Sequence, residues 1–266
     1  MRGQGIAASG GPPEPAFPLL RPRPGGLAER YASVLGDRHP ALVFLAALLP
    51  GLALLVGLSC ALGFLVVEGL VPIPAVSDTD ERVVAWLVDL RSDATVDASW
   101  VGSTIAGGVV IPAVIGLVLL VSVVKRWWSV GAFVLFAVAV ESGTYRATTL
   151  VVHRERPDVD RLESLPPDAS YPSGHTAAAI ALYCGLALLL TSRIRSLGAR
   201  VAIWAVALSI PPFVAASRML RGMHHPLDVA GGLVIGILAI VVVCFATRAA
   251  VAAGARRRAA TPGAPS

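Results

Sequence analysis

The sequence has little charge and little cysteine. Asp, Glu, Lys and Arg make up 15% of its 266 residues, against 55% for hydrophobic residues, whereas soluble domains carry about 25% charged residues. An integral membrane protein is therefore expected. Cys60, Cys184 and Cys244 lie inside apolar runs without paired spacing, so they are expected to be buried thiols, with neither a disulfide framework nor a cysteine metal site.

Lysine is almost absent, because Lys125 is the only one, and arginine supplies nearly all of the positive charge. The formal net charge of +5 would suit a nucleic-acid partner. The arginines stand, however, in short loops and tails beside hydrophobic runs, where positive charge commonly sets membrane topology. A nucleic-acid partner is therefore not expected, and membrane lipids are.

Six apolar stretches approach the roughly 20 residues that a membrane-spanning helix needs. They cover residues 41–69, 101–124, 129–152, 174–192, 200–216 and 226–248. The predicted fold class is all-α, a six-span helical bundle over residues 41–250. Residues 1–40 are rich in Pro and Gly and lack the apolar segment and cleavage site of a signal peptide. These residues and the basic residues 251–266 are expected to form disordered cytoplasmic tails.

The basic residues also predict which side of the membrane each loop faces. An even number of spans leaves both termini on one side, and Lys and Arg are enriched in cytoplasmic loops. The clusters before span 1, after span 2, after span 4 and after span 6 are therefore assigned to the cytoplasm: Arg21, Arg23, Arg30, Arg38, Lys125, Arg126, Arg193, Arg195, Arg200, Arg256, Arg257 and Arg258. The expected location is the plasma membrane, with the alternate loops facing outward.

The first outward loop contains "SDTDERVVAWLVDLRSDATVD" at residues 77–97. Its apolar residues recur at near-helical spacing, which predicts an amphipathic helix on the outer surface between spans 1 and 2. They are Val83, Val84, Leu87, Val88 and Leu90. The simplest role for such a helix is a packing cap over the bundle.

The other two outward loops carry arginines against the topological pattern: Arg154, Arg156 and Arg161 in one, and Arg218 and Arg221 in the other. Ionisable groups near membrane depth are usually paired or functional. Together with the start of span 4, these loops are predicted to form an anion site on the outer face.

Three short segments would build that site, and their chemistry fits phosphate. Arg156 and Arg218 offer planar donors that can bind two phosphate oxygens at once. Ser173 stands at the expected N-cap of span 4, so the N–H groups of Ser173 and Gly174 can approach an oxyanion at the positive end of the helix.

Turnover needs a nucleophile and a proton donor as well. If span 6 begins at Pro226, Asp228 lies in its first turn, four residues after His224. Asp228 could then hold one imidazole nitrogen of His224 and leave the other to attack phosphorus. His175, from span 4, could protonate the leaving oxygen.

The residues Arg156-Pro157, Pro172-Ser173-Gly174-His175 and Ser217-Arg218 with His224 and Asp228 resemble the signature of the type 2 phosphatidic acid phosphatase superfamily. The resemblance implies a six-span lipid phosphatase that works without a metal or other cofactor. It also implies a phosphohistidine on His224, orientation of His224 by Asp228, His175 as the acid, and phosphate bound by Arg156, Ser173, Gly174 and Arg218.

One position departs from that signature. Its first motif is K-x6-RP, and Thr149 stands where the lysine is expected. Arg154 or Arg221 is predicted to supply the missing charge. Arg146 lies about 15 Å of helical rise below Arg156, and is expected to pair within the bundle, with Glu141.

Three other side chains near these motifs have weaker assignments. Tyr171 could cover the pocket mouth, but interface belts favour tyrosine and that role is preferred. His153 is a candidate for the pocket wall, and His225 is expected to be a neighbour without chemistry.

The predicted activity is removal of a terminal phosphate from a lipid phosphate or diphosphate, with a polyprenyl diphosphate favoured because an outward site suits recycling of a carrier. Phosphatidic acid and phosphatidylglycerol phosphate are alternatives. So are a non-catalytic lipid-phosphate binder, a metalloenzyme with His175, His224, His225 and Asp228 as ligands, and a vanadate-dependent haloperoxidase, which shares the pocket.

Overall fold

The structure is a computed structural model that describes residues 17–260. Residues 1–16 and 261–266 of the two predicted tails lie outside the described residues. Ten α-helices follow one another in the described part: α1 (Leu27–Val34), α2 (Pro40–Phe64), α3 (Pro74–Asp89), α4 (Asp93–Ile105), α5 (Val110–Val124), α6 (Trp128–Thr149), α7 (Gly174–Ala179), α8 (Gly185–Thr191), α9 (Leu197–Leu220) and α10 (Pro226–Ala260). Two π-helical turns, Leu65–Leu70 and Ile180–Cys184, extend α2 and join α7 to α8.

Six helical segments are long and apolar enough to cross a membrane, and they confirm the prediction of an all-α six-span bundle. They are Pro40–Leu70, Asp93–Val124, Trp128–Thr149, Gly174–Thr191, Leu197–Leu220 and Pro226–Ala260. Large apolar side chains such as Leu117, Leu120 and Val241 are exposed on them, as expected where lipid is the solvent. Between residues 17 and 260 there is no β-strand, and one isolated bridge joins Arg154 to Ala169.

The second span begins eight residues earlier than predicted. A capping box at Ser92 and Thr95 starts α4, and α4 precedes α5 after a short break at 106–109. Hydropathy did not reveal α4 because Asp93 and Asp97 interrupt its apolar residues. Helix α4 packs along the C-terminal part of α9, so its polar side chains lie near the candidate site.

The described parts of the tails differ from the predicted disorder. Helix α1 packs Ala28 and Ala32 against Ala249, Ala252 and Ala253 near the end of α10. Small side chains on both helices allow this close contact. The helix α10 itself continues through the basic residues to Ala260.

Helix α10 is the central element, because it contacts α2, α6 and α7. Glycines in its N-terminal half let α7 approach its backbone. A Cβ at Gly232 would lie 2.4 Å from the carbonyl oxygen of Ser173, and one at Gly236 would lie 2.7 Å from that of Ala177. Small residues commonly permit such close packing of membrane helices. The start of α7 is thereby placed beside the start of α10.

Helix α3 occupies the loop between spans 1 and 2, where a helix was predicted. Val84 and Leu87 are buried, Val83 and Val88 are half-buried, and Leu90 is exposed. The placement of this helix on the outer membrane surface remains a prediction. Its third buried residue is a carboxylate, Asp80, which contacts the candidate site.

Candidate active site

The loop that joins α6 to α7 folds back on itself, and this brings the predicted motifs together. The N–H of Arg154 donates to the carbonyl of Asp168 at 3.0 Å, that of Arg156 to Pro167 at 2.9 Å, and that of Ser170 to Arg154 at 2.9 Å. The loop therefore has a fixed path although it has no helix or strand of its own. It contacts the C-terminal end of α9 and the N-terminal end of α10.

Arg156 holds this loop in place. Its Nε donates to the carbonyl of Pro166 and one terminal nitrogen to that of Ala169, both at 2.8 Å, while the other terminal nitrogen donates to Met223. Burial lowers the pKa of Arg156. One N–H remains on each terminal nitrogen. Phosphate binding by Arg156 stays a prediction, and the structure adds an anchoring role that the sequence did not indicate.

The turn between α9 and α10 sets the position of His224. The N–H of Met223 donates to Arg218 at 3.0 Å and that of Gly222 to Met219 at 2.9 Å, which is the Schellman pattern for a helix end. Gly222 has φ +71°, a conformation that side-chain-bearing residues rarely adopt. The chain therefore turns sharply after α9 and enters α10 at Pro226, the start predicted from the sequence.

His224 is buried, 3% exposed, and is oriented by the backbone. Its Nδ1 lies 2.8 Å from the carbonyl oxygen of Ser170 and 3.7 Å from Oδ2 of Asp228. Burial lowers the pKa of His224, and Asp228 offsets this only in part, so the ring is neutral near pH 7. Because a carbonyl can only accept, Nδ1 carries the proton and Nε2 keeps its lone pair. Nε2 is therefore the nitrogen suited to nucleophilic attack.

Asp228 is fully buried and lies in the first turn of α10, as predicted. Its Oδ2 accepts hydrogen bonds from Ser170 Oγ at 2.6 Å and from the His225 N–H at 2.8 Å. Its Oδ1 forms an ion pair with Arg154. Asp228 thus holds Ser170, whose carbonyl accepts from His224, and its negative charge acts on the His224 ring. The direct hydrogen bond to His224 that the sequence suggested is not formed.

Ser173 is the N-cap of α7, as predicted, but its N–H is not free for an anion. That N–H donates to the Asp228 carbonyl at 2.9 Å, and Ser173 Oγ lies 3.0 Å from Thr176 Oγ1. The N–H of Gly174 and the next N–H groups have no intrahelical acceptor because they open the helix. His175 follows directly, and the charged groups acting on it include Arg218, His224, Glu163 and Arg156. The predicted residues are therefore in one place.

Arg218 presents one edge of its guanidinium without a partner. It is 0% exposed, and its Nη1 donates to Ser103 Oγ at 2.9 Å and to both oxygens of Glu163 at 2.7 and 2.9 Å. Nε and Nη2 are buried and have no hydrogen-bond partner among residues 17–260. A guanidinium edge with two parallel N–H groups matches two oxygens of a phosphate. This edge is the best-defined anion-binding feature of the site.

Glu163 links Arg218 to Arg221, whose Nε lies 2.6 Å from Oε1 of the same carboxylate. The two terminal nitrogens of Arg221 contact other groups: Nη1 lies 3.2 Å from Ser99 Oγ, and Nη2 lies 3.5 Å from the Leu162 carbonyl oxygen. Burial alone would raise the pKa of Glu163, but the two arginines outweigh it and the pKa lies below its ordinary value. Arg221 therefore adds positive charge beside Arg218 while its donors contact Glu163, Ser99 and Leu162. Its accessory role in phosphate binding stays a prediction.

Arg154 differs from its predicted accessory role. Its terminal nitrogens form ion pairs with Asp228 and with Asp80 of α3, so they are committed to carboxylates. Thr149 donates to the Arg146 carbonyl at 3.0 Å inside α6. It makes no polar contact with Arg156 or Arg218 within the described chain.

The predicted pair of Arg146 with Glu141 is also not found among the described ion pairs. Arg146 is exposed, while Glu141 is buried and accepts from Ser142 Oγ at 3.0 Å. Tyr171 is 1% exposed and packs against Val66 and Val152, so it does not belong to an interface belt. Its burial raises the pKa to about 12.

Five polar residues of the site were not predicted from the sequence. Asp80, Ser99, Ser103, Glu163 and Ser170 lie outside the motifs. Asp80 stands in an amphipathic pattern whose simplest role was packing, and the two serines lie on the unpredicted α4. The one available signal was the excess of arginine in the outer loops, because buried arginines require carboxylate partners.

Two further observations bear on the alternatives. Among residues 17–260, no three His, Cys, Asp or Glu side chains form a group that could hold a metal ion. His153, which is exposed, lines a cleft of about 370 Å³ together with Asp80, Arg154 and His225. Arg156 also lines this cleft, so the cleft adjoins the candidate site.

Comparison with known proteins agrees with this geometry. The profile of the PAP2 superfamily matches residues 126–251. A decaprenylphosphoryl-5-phosphoribose phosphatase of Mycobacterium tuberculosis, found in two strains, is 35% identical over 118 residues, which is 42% of this chain. The match spans 56% of the length of these curated relatives. 

The crystal structure of a transmembrane PAP2-type phosphatidylglycerolphosphate phosphatase from Bacillus subtilis superposes with a TM-score of 0.61. It is 23% identical, and the superposition covers 70% of this chain and 92% of that one. At this identity the likeness concerns the fold. Residues 126–251 are thus similar to the PAP2 superfamily, and the chain shares its fold with a membrane phosphatase of that type.

Proposed function

We propose that the protein is a membrane phosphatase that hydrolyses lipid phosphates without a metal, through a phosphohistidine at His224. The observation that carries this proposal is the environment of His224. Its Nδ1 is held 2.8 Å from the Ser170 carbonyl, which leaves Nε2 as a neutral nucleophile in the same site as the unpaired edge of Arg218. A nucleophile beside preorganised cationic donors is what phosphoryl transfer requires.

In the first step, Nε2 of His224 attacks phosphorus and the bond between phosphorus and the lipid oxygen breaks. His175 gives its proton to that oxygen, so the lipid leaves as a neutral alcohol or as a lipid monophosphate. The imidazole now carries phosphate and a positive charge. In the second step water attacks phosphorus, His175 takes the water proton, and the N–P bond breaks to release inorganic phosphate and neutral His224.

The remaining site residues bind the phosphoryl oxygens in this scheme. The Nε and Nη2 edge of Arg218 binds two of them, and the free N–H groups of Arg156 and the N–H of Gly174 complete the cradle. Ser173 contributes by fixing the start of α7 against Asp228, since its own N–H is already used. In the transition state, negative charge is spread over the phosphoryl oxygens. These donors therefore bind the transition state more strongly than the ground state.

The proposed substrate is a polyprenyl-linked phosphate, with a polyprenyl diphosphate favoured. Its support is the outward placement of the site that the arginine distribution predicts, and the activity of the mycobacterial relatives, which act on a decaprenyl-linked phosphosugar. A polyprenyl-linked phosphosugar is therefore a second substrate to test, beside phosphatidic acid and phosphatidylglycerol phosphate. The proposed location is the plasma membrane, with both termini in the cytoplasm and the site at the outer leaflet.

The test is phosphate release by the purified full chain in detergent, in excess EDTA. The substrates are undecaprenyl diphosphate, undecaprenyl phosphate, a polyprenyl-linked phosphosugar, phosphatidic acid and phosphatidylglycerol phosphate. We expect release from at least one substrate, unaffected by EDTA and lost in His224→Ala. The control is His39→Asn, which changes a histidine at the opposite end of the bundle while keeping a side chain that can cap α2.

Each other outcome identifies a specific alternative. Loss of activity in EDTA would favour a metalloenzyme. Lipid phosphate binding without release would favour the non-catalytic binder. Activity that survives His224→Ala would contradict the proposed nucleophile.

A further inference from the structure

Asp80 lies outside every motif discussed above, and yet it is tied to the centre of the site. It is 4% exposed, on α3 between spans 1 and 2. One oxygen of its carboxylate forms an ion pair with Arg154, and the other accepts the N–H of Leu227 at 3.0 Å. Leu227 and Asp228 are in the first turn of α10, so Asp80 contacts this turn directly and, through Arg154, a second time at Asp228.

The charges of this cluster do not cancel. Asp80 and Asp228 each carry a negative charge and Arg154 carries one positive charge, all three at most 8% exposed. The net charge is −1, and Oδ2 of Asp228 lies 3.7 Å from Nδ1 of His224. If Asp80 were neutral, Arg154 and Asp228 would cancel each other, and the field at His224 would lose its negative source. Charge interactions are strong in such buried surroundings because water does not screen them.

We propose that Asp80 is a positioning residue for phosphoryl transfer: it serves as the counter-ion of Arg154 and so leaves the charge of Asp228 available to the His224 ring. This inference rests on the proposed function. The need arises during the reaction, because His224 is neutral before attack and carries a positive charge while phosphate is bound to Nε2. A negative cluster beside the ring stabilises that state more than the ground state, which accelerates the step.

The variant that tests this is Asp80→Asn, which keeps the size and an accepting oxygen but removes the charge. The matched control is Asp78→Asn, which removes the same charge from an exposed position on the same helix. We expect kcat of Asp80→Asn to fall about 10- to 100-fold, the range typical of residues that orient a reactive group from behind. KM should change less than about twofold, because the phosphate-binding arginines are untouched.

Two further readouts separate positioning from a merely structural effect. Asp80→Glu keeps the charge and should restore part of kcat. The acid limb of the kcat/KM profile should move to lower pH in Asp80→Asn, since removing a negative charge makes His224 harder to protonate. The other charged groups facing His224 are Asp228, Arg218, Arg156 and His175, and all of them are unchanged in this variant.

Orthovanadate and inorganic phosphate serve as probes that need no turnover. Vanadate bonds to the nucleophile and places charge on the ring, whereas phosphate is held by the arginines alone. Asp80→Asn should weaken vanadate binding about tenfold and phosphate binding less than about twofold. If the intact protein releases no phosphate but shows this difference, the proposed function fails, and only the electrostatic effect of Asp80 on His224 stands.

The inference is overturned if Asp80→Asn matches Asp78→Asn in kcat and in vanadate affinity. It is also overturned if the loss is the same for Asp80→Glu and follows the fraction of unfolded protein in thermal melts, because the residue would then act on folding alone.

Discussion

Two arginine–carboxylate clusters act on His224, one through Arg218 and one through Asp228, and they differ in the balance of their charges. The Glu163 cluster contains Glu163, Arg218 and Arg221, with two cations for one anion. The Asp80 cluster contains Asp80, Arg154 and Asp228, with two anions for one cation. The same residue types thus form one cluster with a net positive charge and one with a net negative charge near the proposed nucleophile.

The difference matches the two charges that phosphoryl transfer creates. The phosphoryl group gains negative charge on its oxygens, and the histidine that attacks it gains positive charge. In the Glu163 cluster, Arg218 keeps Nε and Nη2 unpaired, so donors remain for the substrate. In the Asp80 cluster both terminal nitrogens of Arg154 are paired. This cluster is therefore proposed to orient His224 and to set the electrostatic field at its ring. Pairing state, and not residue type, distinguishes the arginine proposed to bind phosphate from the one proposed to support the site.

The largest effect in this comparison is expected for Arg218→Lys. Lysine keeps the positive charge but lacks the planar pair of N–H groups that binds two oxygens. We expect kcat/KM for the best lipid substrate to fall about 10²- to 10³-fold, as for loss of one preorganised donor to a transition state. Steady-state phosphate release measures it.

The matched control is Arg221→Lys, in which charge is kept and the lost donors face Glu163, Ser99 and Leu162. This variant should lower kcat/KM by no more than about tenfold. Equal losses for the two variants would contradict the distinction between the binding arginine and its neighbour.

Glu163→Gln should have an intermediate effect, because it leaves both cations in place and removes the anion that orients Arg218. We expect kcat to fall about tenfold and inhibition by inorganic phosphate to become stronger, since the cluster gains one positive charge. Inhibition constants for phosphate in the variant and the intact protein test this. Weaker inhibition would mean that Glu163 does not compete for the charge of Arg218.

The same substitution has a pH signature in thermal stability. The pKa of Glu163 is lowered in the folded protein, so its stabilising effect is fully present above the ordinary pKa of about 4.5 and is lost as pH falls through the lowered value. The melting temperature of the intact protein should therefore exceed that of Glu163→Gln at pH 7. The gap should narrow below pH about 4.5. A gap that widens on acidification would contradict the pairing.

The smallest effect is expected for Gly222→Ala, which tests the turn that sets the position of His224. The new Cβ would meet Val159 Cγ2 at 2.8 Å, and φ would remain at +71°. Left-handed backbone costs about 1 to 2 kcal/mol for residues other than glycine. The free energy of unfolding should fall by about that amount, with a smaller loss of kcat.

Gly198→Ala is the control for that prediction, because a Cβ there has open space in the same helix, α9. Alanine should be neutral or slightly stabilising at this position. Similar destabilisation by both changes would show that the turn geometry is not the cause.

The spans could be predicted from sequence, and the candidate site could be located, because each leaves a local pattern. Apolar length predicts the spans, and the fixed spacing of Arg218, His224 and Asp228 follows from one helix end, one turn and one helix start. The Pro226 start of α10 was predictable for the same reason, since proline favours the first helical position.

The partners of those residues could not be predicted, because they depend on packing between distant elements. Asp80 reaches the site from α3, Ser99 and Ser103 from α4, and Glu163 from a loop without regular structure. Arg154 and Arg221 were both plausible phosphate ligands in the sequence. Only the positions of Asp80 and Glu163 show that their donors are already occupied.

The measurement that tests the central claim most directly is a search for phosphate on His224. The purified protein is mixed with its best lipid substrate, labelled on the terminal phosphate, and quenched in base within milliseconds to seconds, because phosphohistidine is stable in base and labile in acid. The account predicts acid-labile label on the peptide that contains His224, absent from His224→Ala and formed more slowly by Asp80→Asn. Label on another residue, or turnover without any labelled histidine, would contradict it.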